Sequence, residues 1–396
     1  MAIKFLNLSK KFKTVRPNGF KFPTGLSYGS ANNSNAGVAT KSKSLGADLS
    51  LNEVSGPTSN SVLTFNSSGT FIPAFTGDVE ILVIGAGGAG GPSADRGGGG
   101  GGGAGGVKYV SGEPVVMDTS YVVTVGGGGS VSPTYYYAAV ASTWSGSESN
   151  VASIGIYGTG GGGGGKGGAG NPHPTNPTYS AGAAGGSGGG GSSPGYPSGA
   201  TYGGGAANTT GGQVGFAGTS GGALAFYNNP AYGNGGGGGG ASQAGQARAN
   251  VNASSPGGDG IEYSISGTAI YYSGGGGGGG ACVANNAPDR YQYYIGFGGN
   301  GGGGDGGMVF DDDHLPQPSR LAAGERRGDL APGVAGTVNR GGGGGGGGMI
   351  QGNPASALPA NLAGSSDYRQ GGAGGSGVVV FRFNTFQATS NTYIIN

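Results

Sequence analysis

The 396-residue chain holds a single cysteine, Cys282, which excludes an internal disulfide and reads as a small residue packed beside its glycine-rich neighbours. Histidine is nearly as scarce. His173 and His314 are the only two, little material for acid–base chemistry, and no enzyme is expected. Charge is thin and balanced, with 19 basic and 18 acidic side chains and a net charge of +1, so nothing draws the chain as a whole toward nucleic acid or anionic membranes. No apolar run approaches the ~18 residues of a membrane-spanning helix. Met1–Arg16 lacks the apolar stretch of a secretory signal, so no leader is expected either. Helical periodicity is missing beyond the N-terminal segment.

What the chain has instead is glycine. There are 104, gathered into uninterrupted runs at Gly97–Gly103, Gly160–Gly165, Gly235–Gly240, Gly274–Gly280 and Gly341–Gly348. With 20 prolines added, the composition falls where low-complexity chains lie. The 20 Tyr and 14 Phe argue the other way, as does the thin charge, which cannot keep a chain expanded. Strand signals frame the runs: Val79–Ile84 and Tyr121–Val125 end directly in glycine, and Val378–Phe383 begins directly after it.

Ordered polyglycine fits the polyproline II helix, with about three residues per turn, a rise of ~3.1 Å and no internal hydrogen bonds. Its N–H and C=O groups point outward and need partners. Glycine rods lying side by side supply them to one another, provided no Cβ blocks the approach. The expected fold is all-β: an antiparallel β-sandwich-like frame carrying a packed bundle of polyglycine II helices, with little or no α-helix.

Three segments are expected. Residues 1–60 are a basic N-terminal anchor, with no acidic residue before Asp48. Lys4, Phe5, Lys10, Lys11, Phe12, Lys13 and Arg16 form a basic amphipathic piece suited to an acidic partner surface; the competing reading is a frayed terminus. Residues 61–384 are the glycine-rich β/polyglycine II domain, and residues 385–396 a C-terminal tail.

Segments rich in Tyr, Asn and Ser separate the glycine runs. Tyrosine offers a large amphipathic contact area at low entropic cost, while Asn and Ser adapt their hydrogen bonds. On that chemistry the candidate receptor contacts are Tyr135, Tyr136, Tyr137, Trp144, His173, Tyr179, Phe226, Tyr227, Tyr291, Tyr293 and Tyr294. The alternative is that the tyrosines cap the ends of the rods and seal the frame.

Other patterns carry less. Gly85–Gly90 satisfies G-x-G-x-x-G after a strand, but the chain continues through Pro92 into a glycine run, where no helix opens to hold a pyrophosphate. Asp311–Asp313 with His314 has ligand-type side chains but reads as a solvated loop tip, and no metal or cofactor is expected. Arg96 and Arg340 are too isolated for an RNA-binding Arg-Gly-Gly tract, and Arg327-Gly328-Asp329 is a short adhesive match of low specificity.

The opening LTFNSSGTFIPAFTGDVEILVIGAGG, blocks such as YYSGGGGGGG and the closing GGAGGSGVVVFRF cover about Ser61–Asn384 and resemble the glycine-rich domains of bacteriophage virion proteins. The tail-fibre-tip adhesins of T-even-like phages are similar in carrying a polyglycine sandwich with variable loops at its far end. The resemblance implies a protein of the particle surface. The first reading is a tail fibre or adhesin that meets host surface glycan or outer-membrane protein through its Tyr-rich loops. Residues 1–60 would then join it to a fibre shaft, baseplate or capsid. The second is a capsid decoration or head-fibre protein held by its basic arm, and a third is a cell-wall or matrix protein. A homotrimer, or a monomer on a trimeric shaft, fits the virion readings. The N-terminal segment departs from the tip adhesins and matches none of their attachment domains.

Overall fold

The computed structural model describes residues 49–54, 60–93, 97–131, 144–165, 180–192, 202–219, 222–226, 229–247, 255–283, 296–309, 330–351 and 370–384. Among them the structure is strand and extended rod, with short 3-10 turns at Ala152–Ile154 and Thr210–Gly212. The strands are β1 (Leu49–Val54), β2 (Asn60–Phe65), β3 (Gly69–Phe71), β4 (Gly77–Ile84), β5 (Val107–Val115), β6 (Tyr121–Thr124), β7 (Ser149–Val151), β8 (Ile156–Gly158), β9 (Gly222–Phe226), β10 (Asn229–Asn234), β11 (Ile261–Tyr263), β12 (Ile270–Tyr272), β13 (Ala281–Val283), β14 (Met308–Val309), β15 (Leu330–Ala331), β16 (Met349–Gln351) and β17 (Val378–Asn384). The fold is all-β, as expected, and its sheets are antiparallel apart from one two-stranded pair, β13 with β16.

A five-stranded sheet in the order β1-β2-β17-β4-β5 and a four-stranded sheet in the order β3-β6-β7-β8 make the frame. Successive side chains of a strand point to opposite faces, and the two faces of the large sheet have different partners. Leu63, Phe65, Val79, Ile81, Val83, Val379 and Phe381 face the small sheet, where they pack with Phe71, Tyr121, Val123, Val151 and Ile156. The Phe71 and Phe381 rings lie 4.5 Å apart, and Phe65 meets Phe381 edge-on at 5.8 Å. The alternate residues Val62, Leu82, Ile84, Val378 and Val380 pack on Ile265 and Tyr272 of the β11–β12 hairpin region. Each such side chain contributes about 1.5–3 kcal/mol by leaving water. On this second face Arg382 Nη2 reaches the Glu80 carboxylate at 2.6 Å, and the Tyr109 hydroxyl donates to the same carboxylate at 2.7 Å. The frame extends back to β1, which pairs with β2 along its whole length. Residues 49–54 therefore belong to the sheet, although the sequence reading leaves them in the anchor segment.

From the frame rise the glycine runs, and their hydrogen bonds define a lattice. In Gly97–Gly106 the backbone N–H donors address three neighbours in strict rotation. Gly99, Gly102 and Gly105 donate to Gly347, Gly344 and Gly341; Gly100, Gly103 and Gly106 donate to Gly165, Gly162 and Thr159; Gly101 and Ala104 donate to Gly236 and Gly239. Its carbonyls accept from three further runs, including Gly88 to Gly103, Gly190 to Gly101 and Gly276 to Gly102. One rod is thus ringed by six, and the period-three rotation is the signature of a helix with about three residues per turn. Gly274–Gly280 shows the same rotation, as do Gly343–Gly347. The rods approach so closely that a Cβ on Gly101, Gly276 or Gly343 would overlap the carbonyl of Gly276, Gly344 or Gly102 respectively. Side chains reappear on outer rods, where Phe216, Val334 and Val338 are exposed. There they end the lattice.

Candidate functional site at the far end of the glycine bundle

Hydrogen-bond register fixes the direction of each rod. Gly88 and Gly91 donate to Gly103 and Gly100, so the run leaving β4 climbs and the run entering β5 descends. Gly160–Gly165 and Gly341–Gly348 pair with the descending run in reverse order and therefore climb; Gly235–Gly240 pairs with it in the same order and descends. Gly276 and Gly279 donate to Gly102 and Gly99, so Gly274–Gly280 also climbs, while Gly372–Gly375 descends beside Gly87–Gly90. The consequence is topological. The described residues that flank segments 132–143, 166–179, 193–201, 284–295, 310–329 and 352–369 lie at one end of the bundle, away from the frame.

That end carries strands that the sequence reading missed. β10 leads into Gly235, β13 follows Gly280, β14 follows Gly307 and β16 follows Gly348; β10 neighbours β13, and β13, β14 and β16 neighbour one another. β13 and β16 form the parallel pair, Ala281 opposite Met349, as their two climbing rods require. β9 and β10 form an antiparallel hairpin and β14 pairs with β15. The glycine lattice is therefore topped by a second, smaller layer of strands. β13, β14, β15 and β16 are two or three residues long and leave almost no periodic signal.

Among the described residues the charges are unevenly placed. Glu80, Lys108, Glu148, Asp259, Glu262, Arg340 and Arg382 lie in or next to the frame. Among the described residues of the far half, Asp305 is the one charged side chain, and its Oδ1 accepts the Gly298 N–H at 2.7 Å. Further along, Ser93 Oγ donates to the Gly348 carbonyl at 2.6 Å. The described part of this end thus presents backbone and neutral side chains. Among the described residues, no group of three or more His, Cys, Asp or Glu side chains is placed to hold a metal ion, and no helix is long and apolar enough to cross a membrane.

The predicted contacts divide. Tyr135, Tyr136, Tyr137, His173, Tyr179, Tyr227, Tyr291, Tyr293 and Tyr294 lie outside the described residues, as do Lys4, Phe5, Lys10, Lys11, Phe12, Lys13, Arg16 and the Asp311–His314 cluster. Phe226 closes β9, opposite Asn229. Trp144 is placed differently from its reading as a receptor contact. It is 5 % exposed and packs on Ala89, with Ala183 beside it. Its carbonyl accepts the Ala89 N–H at 2.8 Å, so Trp144 starts a descending rod and its ring fills the space left by two alanines.

No curated protein and no solved structure matches this chain. A family model described as a glycine-rich domain matches residues 64–384, from within β2 to the end of β17, which takes in nearly all of the frame and every rod. The chain belongs to this glycine-rich domain family.

Proposed function

We propose that this protein is a bacteriophage virion surface protein, a tail fibre or adhesin whose glycine bundle holds a recognition surface away from the particle. Residues 1–60 join it to shaft, baseplate or capsid proteins, and the partner at the other end is host surface glycan or an outer-membrane protein. The observation that carries this reading is the one-ended exit of the connections. Segments containing Tyr135–Tyr137, His173, Tyr179 and Tyr291–Tyr294 all leave and re-enter the described structure at the end opposite the frame. Loops gathered at one end of a rigid scaffold are the usual site of binding. A backbone lattice in which each inner rod is tied to six others is stiff, and stiffness lowers the entropic cost of binding.

The test is immunogold labelling of purified particles with an antibody against residues 61–396, paired with binding of the purified protein to host cells. Label at tail ends, with cell binding reduced by Tyr135→Ala and Tyr293→Ala, is the expected result. Label spread over the head would replace the adhesin with a decoration protein. Particles without label would overturn both.

A further inference from the structure

The order of strands in the large sheet has a consequence for how the domain closes. β1 pairs with β2, and β4 pairs with β5, each a partner close in sequence. β17 stands between these two pairs, laddered to β2 on one side and β4 on the other, and β2 and β4 are not neighbours. The last strand of the domain is therefore the sole ladder joining the N-terminal hairpin to the rest of the sheet among the described residues.

The slot it fills is well matched to it. Val378, Val379, Val380 and Phe381 are all exposed by 2 % or less, with alternate residues in the two cores on either face. Arg382 lies opposite Glu80 in register and pairs with it. The rod that precedes β17 lies among four separate parts of the chain, one of them through Gly333 and Gly336, which donate to Gln370 and Ala373. Gly372 and Gly375 accept from Gly90 and Gly87 and donate to Gly345 and Gly342, while Gly374 and Gly377 donate to Gly129 and Gly126. Every surface that receives residues 370–384 is made by segments earlier in the chain.

We propose that Gln370–Asn384 is a closing latch. The β1–β2 hairpin and the β4–β5 pair with its rods form first, and the C-terminal arm enters the finished slot last. Its entry supplies the only ladder, among the described residues, between the N-terminal hairpin and the rest of the large sheet. Contact probability for a flexible loop falls roughly as the −3/2 power of its length. The β4–β5 ladder closes a loop of about 20 residues and the β2–β17 ladder one of about 310, a difference of about fiftyfold in that probability. This inference stands whether or not the protein is an adhesin.

The experiment is pulsed hydrogen exchange during refolding of the full chain, read peptide by peptide by mass spectrometry. Peptides covering Lys108–Glu113, which ladder to β4, are expected to gain protection early, and those covering Val378–Asn384 about tenfold later or more. Protection of Val378–Asn384 together with, or ahead of, Lys108–Glu113 would overturn the latch. A Phe381→Leu chain adds a second reading on the same peptides: the late phase slows and the early phase keeps its rate. Equal slowing of both phases would also overturn it.

Discussion

Gln213 is bonded twice to Thr159: its Oε1 accepts the Thr159 N–H at 2.8 Å and its Nε2 donates to the Thr159 Oγ1 at 2.7 Å. Further along the same rod, Gly162 and Gly165 donate to the backbone carbonyls of Ser187 and Gly190. At Thr159 the side-chain amide of Gln213 takes the place of that carbonyl and continues the lattice. It is 3 % exposed. Gln213→Ala would leave the partly buried Thr159 N–H without this partner and a void beside Gly106. A loss of about 2–4 kcal/mol is expected, measured as a lower urea midpoint with unchanged slope. Glutamate at this position keeps the acceptor but buries a charge, so Gln213→Glu is expected to be destabilised at neutral pH and partly recovered in acid.

The lattice makes an unequal prediction for two glycines. In Gly276→Val the new side chain would fall on the Gly344 backbone inside the bundle, and overpacking against backbone has no rotamer to escape into. That chain is expected not to fold, with loss of its β-type circular dichroism and of its cooperative melt. Gly127→Ala meets nothing within 4 Å and is expected to stay within about 0.5 kcal/mol of the parent. Equal melting of the two variants would contradict the packed-rod description.

Trp144→Ala removes the ring that lies over Ala89. The expected cost is about 3–5 kcal/mol, as for a large aromatic lost from a core, with Tm lowered accordingly. A surface-binding tryptophan would instead lower binding and leave Tm unchanged.

Alkali should weaken the frame before it weakens the lattice. The Tyr109 phenol titrates above its ordinary range because of burial and then because of its hydrogen bond to the Glu80 carboxylate; burial likewise raises Tyr263 and Tyr272. A folded-state pKa above the unfolded one means that the folded form disfavours the phenolate. The stabilisation is full below the ordinary phenol pKa of about 10 and is lost as pH rises through the raised values. Urea midpoints measured between pH 8 and about pH 11 should therefore fall with pH, and Tyr272→Phe should flatten that fall.

Much of the frame was legible because its central strands are short runs of β-branched and aromatic residues bounded by glycine. Val79–Ile84 and Val378–Phe383 read as buried strands, and glycine directly after or before them marks where sheet becomes rod. The rods themselves were legible as a kind of structure but not as an arrangement. Nothing in a glycine run distinguishes Gly276 from Gly277, although one donates to Gly102 and the other to Gly304. Backbone bonds made by identical residues leave no mark in the sequence. Trp144 was misplaced because it closes a Tyr-rich segment, and composition describes the segment rather than its last residue. The signal that would have placed it is local: Ser145-Gly146-Ser147 follows at once, and Ala86 and Ala89 recur with the rod's own period of three. β1 could have been seen in Leu49-Ser50-Leu51-Asn52, an apolar–polar alternation hidden by the basic residues before it.

A bundle whose interior is peptide groups also has an unusual response to temperature. Unfolding an ordinary core exposes hydrocarbon, which raises heat capacity, whereas exposing peptide groups lowers it. In this domain the hydrocarbon is concentrated in the frame and the rods contribute mainly backbone. The heat-capacity increment per residue should fall well below the usual ~12–15 cal/mol/K, and the stability curve should be correspondingly flat. Such a protein keeps nearly constant stability from a cold environment to a warm one, with its cold-denaturation limit pushed far below freezing.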